Sequence, residues 1–322
     1  MGASIFAGSL SIPIPTRCPR RTMQRSCSML APMKKPSLAD GAFTPEGYWK
    51  SVLALLAVLM LLASPGVSSA PPTQSDFSTG KELMTDLEAV PCKDGDRLSA
   101  VKSLFEKMGV PASDLSIETI KGVSNLVVTR RGASSEKIVV GAHYDKVSKG
   151  CGAIDNWTGI VAIAHIYKAL KSVSLNKTLV FVAFGKEEEG LLGSRAWVDA
   201  LSKEELSRCC AMVNIDSLGM GIAQVADNMS SKRLEQLTAD LAEKMNIKYA
   251  HAPIPRAASD SNSFLAKKIP ALTIHSMTSD WPSVLHSTND QASRVNSTSL
   301  YLSYRLALAV VYSIDKASCG SY

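Results

Sequence analysis

Histidine, aspartate and glutamate recur where short apolar runs end. The run 138–140 (Ile-Val-Val) is followed by His143 and Asp145, the run 179–182 (Leu-Val-Phe-Val) by Glu187 and Glu188, and the run 211–215 by Asp216. Asp155 sits in a Gly-flanked loop just ahead of a helical pattern, and His286 follows the apolar run 271–274 after the loop 276–285. Imidazole and carboxylate together suit Zn²⁺, or Co²⁺ and Mn²⁺ with more oxygen ligands. Five such side chains serve two ions if one carboxylate bridges, and Asp155 is the natural bridge. Two metals about 3.5–4 Å apart activate a water and polarise a carbonyl together. The chemistry expected is a metal centre doing acid/base work, with one glutamate to spare.

Such a centre needs rigid elements to deliver its ligands. The runs 138–140 and 179–182 read as buried parallel strands, because they are continuous rather than alternating. In open α/β sheets, sites form at the carboxyl ends of strands, where these polar residues stand. Helical spacing marks 77–87 and 97–108, the second ended by Gly109 and Pro111. Residues 115–130 read as a pair of strands turning near Gly122. From the strand 137–140 onward, helix and strand patterns alternate: helix 159–170, strand 179–184, helix 191–201, strand 211–215, helix 231–245, a short helix 263–267, strand 271–274 and a closing helix 299–314. The pattern predicts an α/β fold in a single domain, with a mixed, mostly parallel β-sheet sandwiched by helices.

The chain's basic excess is local. Seven of its 35 Lys and Arg but two of its 29 Asp and Glu lie in residues 1–70, so the remainder carries 28 against 27, a net charge of +1. A nearly neutral body has no electrostatic footprint for nucleic acid. Residues 1–70 read as a leader. An apolar run at 52–63, preceded by Lys50, is shorter than the ~20 residues of a membrane-spanning helix. Small residues before Ala70 suit signal cleavage there, and Met33-Lys34-Lys35 suits the true start of translation. The expectation is an exported protein, secreted or periplasmic, with a membrane link only through an uncleaved leader. Residues 71–79 read as a linker and 80–322 as the catalytic domain. Five of the seven cysteines lie beyond the leader, an odd number that leaves at least one unpaired within the chain, with Cys151 read as buried or disulfide-bonded. The four Asn-x-Ser/Thr matches, at Asn156, Asn176, Asn228 and Asn296, are read as chance, since a glycan on Asn156 would block the site beside Asp155.

The blocks GAHYDKVSKGCGAIDNWTG, VAFGKEEEGLLGS, NIDSLG and LHSTND resemble, in that order, those of the co-catalytic zinc aminopeptidases. That family includes bacterial leucyl aminopeptidases, aminopeptidase Y and, as a divergent branch, glutaminyl cyclases. The resemblance covers roughly residues 80–315, consistent with one domain of ordinary length, and it implies the zinc exopeptidase, phosphorylase/hydrolase-like fold. It implies two zinc ions, one on His143, Asp155 and Asp216, the other on Asp155, Glu188 and His286. It makes Glu187 the general base, and gives Asp145 the task of fixing the His143 ring by its far nitrogen. Three consecutive glutamates leave the register open locally; the family pattern Glu-Glu-x-Gly-Leu-x-Gly-Ser makes Glu187 the base, Glu188 the ligand and Glu189 the variable position. Peptides are the implied partners, attacked at the amino terminus.

One departure stands out. Family members often read Ser-Asp-His where this chain has Ser259-Asp260-Ser261. Ser259 and Asp260 are expected to line a substrate pocket, and Arg256 just upstream is placed to bind a carboxylate. Three other readings therefore stand beside the aminopeptidase: a single-zinc glutaminyl cyclase-like acyltransferase, a carboxypeptidase of the same family resting on Arg256, and a metal-free binding domain, which would be expected to have lost ligands. His165 lies on an apolar helix face and reads as a core histidine; His275 reads as structural.

Overall fold

The computed structural model describes residues 77–322; the leader, its apolar run and the cleavage site near Ala70 lie outside the described residues. Two helices come first, α1 (Gly80–Glu88) and α2 (Asp94–Lys107). Thr79 and Glu82 close a reciprocal capping box over α1, which satisfies donors the first turn would otherwise leave free. A hairpin follows, β1 (Leu115–Ile120) and β2 (Val123–Arg130). Both residues of its two-residue turn have positive φ, 51° at Lys121 and 78° at Gly122, the hand that matches the twist of paired strands.

The centre is built from β3 (Lys137–His143), α3 (Thr158–Leu170), β4 (Thr178–Phe184), α4 (Leu192–Ala200), α5 (Lys203–Arg208) and β5 (Cys209–Ile215). Next come β6 (Ala223–Ala226), α6 (Lys232–Lys244), β7 (Tyr249–Ala252), α7 (Ser261–Leu265), β8 (Ala271–His275) and α8 (Ser297–Lys316). All eight described strands form one sheet in the order β1-β2-β4-β3-β5-β8-β6-β7. The β3/β4, β3/β5, β5/β8 and β6/β7 pairs are parallel, and the other three antiparallel. The expected mixed, mostly parallel sheet is therefore present. The short elements α5, β6 and β7 were not foreseen, because four- to six-residue pieces offer too little periodicity to read.

Side-chain alternation divides the core between the two faces of the sheet. Ile138, Val140, Phe181, Val213 and Ile274 join α1, α2, α3 and α8 in the larger cluster. Val139, Val180, Val182 and Met212 face the other way, onto Trp197 and Phe264. Covered on both faces, β3 must be apolar throughout, which is why its pattern is continuous. Gly141 has a separate reason: a Cβ there would lie 2.6 Å from the Phe184 ring and 2.9 Å from the end of Met212. The helix α3 is buried at every position but Lys168, as befits a helix enclosed by the sheet on one side and by helices on the other.

Five cysteines fall in the described residues. Cys92 pairs with Cys151 and Cys210 with Cys319, which leaves Cys209 buried and free. No helix among the described residues is long and apolar enough to cross a membrane.

His165 is a core histidine, 1% exposed. Its Nδ1 lies 2.6 Å from Ser78 Oγ and its Nε2 2.9 Å from Asp86 Oδ2, and Lys107 donates to the same carboxylate. The group joins the start of the domain, α1, α2 and α3. Burial works against charge on Asp86, but the hydrogen bonds from His165 and Lys107 outweigh it and hold its pKa below the ordinary value. A depressed carboxylate stabilises the fold above its unfolded pKa, near 4, and loses that contribution as pH falls through the folded pKa. Asp86→Asn is therefore expected to cost about 1–3 kcal/mol at pH 7. The gap in Tm between wild type and variant should close progressively below about pH 4; a gap unchanged down to pH 2.5 would show that the carboxylate charge is not what matters.

Candidate metal centre

The strand order reverses around β3, which has β4 on one side and β5 on the other, both parallel to it. The crevice outside its carboxyl end is the switch point at which open α/β sheets place their sites. His143 ends β3, Glu187 and Glu188 follow β4 after Gly185 and Lys186, and Asp216 follows β5. Asp155 lies in a tight turn, Ala153–Trp157, that feeds directly into α3, and its peptide bond to Asn156 is cis. His286 sits in the loop after β8. Lys186, Ser217 and His286 have φ of 56°, 61° and 56°, a left-handed region that costs a non-Gly residue roughly 1–3 kcal/mol and persists where its surroundings enforce it.

The structure brings the expected ligands together around Asp155. Its Oδ1 is 3.1 Å from His143 Nε2, which is also 3.6 Å from Asp216 Oδ1. Its other oxygen, Oδ2, is 3.0 Å from His286 Nε2, and Glu188 Oε2 reaches the same nitrogen at 3.0 Å. One carboxylate thus faces two separate imidazole–carboxylate pairs. Glu187 stands beside the first of them, with ligand-type atoms of His143, Glu187 and Asp216 within 4.8 Å of one another. Glu189 points away: it is 59% exposed and pairs with Lys186 at 3.2 Å.

Asp145 serves two elements at once. Its carboxylate accepts from the backbone N–H of Glu187 (3.0 Å) and of Glu188 (3.2 Å), locking the glutamates against the end of β3. The His143 Nδ1 lies 3.3 Å from the Asp145 carbonyl and 3.6 Å from its carboxylate. A proton on Nδ1 is therefore directed at Asp145, and Nε2 faces the cluster. Asp145 thus meets the far nitrogen of His143 with both its carbonyl and its carboxylate.

The other residues singled out in the sequence fall differently. Ser259 is 2% exposed and donates to Asp216 Oδ2 at 2.5 Å, while accepting from Asn214 Nδ2 at 2.6 Å. Its hydroxyl is spent on the Asp216 carboxylate and not on an open pocket. Asp260 is fully buried, with neither oxygen hydrogen-bonded, the nearby Ser194 hydroxyl being engaged by Ser263 at 2.8 Å. Arg256 is exposed in the loop before them, φ 61°, and appears in no ion pair of the cluster.

Three site residues escaped the sequence reading. Asp290, the last residue of LHSTND, accepts from the N–H of Ile154 (2.6 Å) and of Asp155 (3.3 Å), so the block carrying His286 also holds the Asp155 turn. Asn156 is buried, donates to the Ile215 carbonyl (2.9 Å) and accepts from Ser217 N–H (3.1 Å), tying that turn to the end of β5. Arg97 reaches the same region from α2. Asp290 and Asn156 both lay inside blocks that could have drawn attention; Arg97 did not.

The electrostatics are those of a crowded anionic site. Burial and the carboxylates of Asp260, Asp216 and Asp155 push Glu187 up to about 9, with His143 opposing. Burial likewise raises Asp260 to about 7. Burial disfavours charge on His143, yet Glu187, Asp145, Asp155 and Asp216 outweigh it and hold its pKa well above the usual value. Hydrogen bonds that His286 donates to the Asp155 and Glu188 carboxylates raise its pKa to about 10. The field that draws protons to these groups draws a cation equally well. A metal fits the donor set: two imidazole nitrogens among carboxylates, with Glu188 Oε1 buried and lacking any hydrogen-bond partner. A third grouping among the described residues, Glu136 with Cys210 and Cys319, has its thiols joined in a disulfide.

The pattern of Peptidase family M28 matches residues 125–311, more than half of the chain and the whole of this site. The chain belongs to that family. It is 31% identical over 141 residues to aminopeptidase YwaD of Bacillus subtilis, covering 44% of this chain and 30% of that protein. It is 29% identical over 168 residues to aminopeptidase Y of Saccharomyces cerevisiae, covering 50% and 31%. The aligned part is thus about a third of these relatives' length. Among solved structures, a zinc aminopeptidase from Bacillus subtilis superposes with a TM-score of 0.55 at 27% identity, over 61% of this chain and 52% of that one. A glutaminyl cyclase from an Acidobacteriales bacterium shares the fold, with a TM-score of 0.66 at 16% identity, over 79% and 99%.

Because the surrounding carboxylates favour the protonated form of both imidazoles, zinc competes with protons there, and its binding should strengthen as pH rises. Calorimetric titration of the metal-free protein at pH 7, in buffers of differing ionisation enthalpy, is expected to show at least one proton released per zinc. Heats independent of the buffer would mean that His143 and His286 are not the groups the ion meets.

Proposed function

We propose that this chain is a metal-dependent aminopeptidase that removes N-terminal residues from peptides with two zinc ions and a glutamate base. The observation that carries the reading is the division of the Asp155 carboxylate between the His143–Asp216 pair and the His286–Glu188 pair. His143, Asp155 and Asp216 would hold one zinc, and Asp155, Glu188 and His286 the other, with Co²⁺ or Mn²⁺ as substitutes. When bound, the ions supply an acidified water and polarisation of the scissile carbonyl.

The chain's own residues do the rest. Glu187 stands beside the His143–Asp216 pair; the charge of bound metal would offset the burial and neighbouring carboxylates that raise its pKa and leave it able to accept a proton. It takes a proton from the attacking water and gives it to the departing amine, so that the leaving group departs neutral. Asp145 holds the backbone N–H of Glu187, fixing where that carboxylate sits. Ser259 and Ser217 donate to Asp216 and fix its oxygens. Arg256, the basis for a carboxypeptidase, is exposed and makes no contact with the cluster's ion pairs. Export is part of the proposal; the Cys92–Cys151 and Cys210–Cys319 bridges suit an oxidising compartment.

The glutamates separate base from ligand. Glu187→Gln is expected to keep both zincs and lose about 10²–10⁴-fold in kcat, whereas Glu188→Gln loses metal at one site as well as rate, and Glu189→Gln changes little. Metal stoichiometry beside kcat on a leucyl peptide reads this out. Retention of metal with loss of turnover in Glu189→Gln alone would shift the register and defeat the assignment. Release of ammonia from an N-terminal glutaminyl peptide, with its pyroglutamyl form still attached to the peptide and no cleavage of the leucyl one, would favour the cyclase.

A further inference from the structure

Arg97 is the largest fully buried side chain of the described residues, and no step above uses it. It rises from the first turns of α2 to the underside of the site. Nε donates to the carbonyl of Tyr144, the residue between His143 and Asp145. Nη1 donates to the carbonyls of Pro91 (3.1 Å) and Cys151 (3.0 Å), and Nη2 to that of Gly152 (3.0 Å). Its plane stands 5.1 Å from the ring centre of Trp157, at the other end of the Asp155 turn. The Cys92–Cys151 bridge fastens the same loop to the segment ahead of α2.

Among the described residues no carboxylate forms an ion pair with this guanidinium; its bonds go to neutral carbonyls. Burial lowers its pKa to about 10, with Asp94, Asp145, Asp290 and Asp155 opposing, so it stays charged at neutral pH. A buried cation bound only to backbone oxygens is costly, and no apolar residue of similar volume would need that arrangement. What it accomplishes is geometric. The planar fork fixes the end of β3, which carries His143, relative to the loop that carries Asp155, and only a rigid guanidinium spans several acceptors at once.

We infer that Arg97 is a positioning residue for the metal centre, holding the His143 strand end and the Asp155 turn at the separation that lets one carboxylate serve two ions. The inference rests on the metal reading above. Its prediction is specific: removing the fork weakens zinc at both sites, because Asp155 belongs to both, and leaves substrate affinity alone. Outer partners of metal ligands are worth about 10–100-fold in metal affinity.

The test is zinc affinity by competition with a chelator on the full protein, alongside Tm of the metal-free form and kcat and KM at saturating zinc. Arg97→Met is expected to bind both zincs about 10–100-fold more weakly, with KM unchanged and kcat recovering as zinc is raised. Arg97→Lys keeps the charge but not the fork, and should recover less than half of the loss on a logarithmic scale. Gly152→Ala crowds the same clamp while leaving Arg97 itself in place. Its Cβ would lie 3.2 Å from Arg97 Nη1, 2.7 Å from Lys146 Cβ and 2.9 Å from the Asp155 carbonyl, at a φ of 61°, and zinc should weaken likewise. A merely structural arginine would lower Tm and leave the zinc affinity of the folded protein unchanged, and that result overturns the inference. If Arg97→Met does not fold, wild-type zinc affinity in both Arg97→Lys and Gly152→Ala overturns it instead. Wild-type protein that binds no zinc would strike the metal reading itself, and this inference with it.

Discussion

The separation between His143 and His286, spanned by the two oxygens of one carboxylate, is the constraint on which this structure depends. Asp155 Oδ1 lies 3.1 Å from one imidazole and Oδ2 3.0 Å from the other. Those imidazoles come from chain positions 143 residues apart, one at the end of a central strand and one in an irregular loop. Holding them to a common carboxylate requires every intervening segment to be fixed. The parallel strands β3, β4, β5 and β8, buried on both faces, provide the frame. Polar links then adjust it: Asp145 joins β3 to the glutamates, Asn156 joins the Asp155 turn to β5, and Asp290 joins it to the His286 loop.

This arrangement is expensive for the bare polypeptide. Carboxylates crowd where burial already disfavours charge, and the crowding favours the protonated forms of Glu187, His143 and His286. Several site residues sit in left-handed backbone, and one buried guanidinium has only carbonyls for company. A large apolar core offsets these costs, with each fully buried aliphatic or aromatic side chain contributing about 1.5–3 kcal/mol. A divalent cation would relieve the same repulsion. Local instability at the site and affinity for metal are then two expressions of one charge distribution.

How much of this could be read in advance depended on burial. The strands β3, β4, β5 and β8 were legible because burial on both faces leaves continuous apolar runs, and the polar residues that break those runs are the cluster. The Glu187–Glu189 triplet was ambiguous by alternation alone; Lys186, in left-handed backbone, turns the chain so that Glu189 faces solvent. His286 was noticed because its loop follows the apolar run 271–274, and its block then made it a ligand, since the loop itself has no period. Arg97 could not have been found, because an arginine in a helix ordinarily reads as a solvated face. Ser259 was foreseen as a pocket residue but is buried against Asp216, a distinction that only packing makes. The edge strands β6 and β7 are four residues each and carry too little pattern to declare themselves.

The most direct measurement is anomalous diffraction at the zinc edge from crystals of the zinc-loaded protein. The account predicts two peaks about 3.5–4 Å apart, one against His143 and Asp216 and the other against Glu188 and His286, with the Asp155 carboxylate between them. A single peak that leaves Asp216 or Glu188 uncoordinated, or peaks away from Asp155, would contradict it.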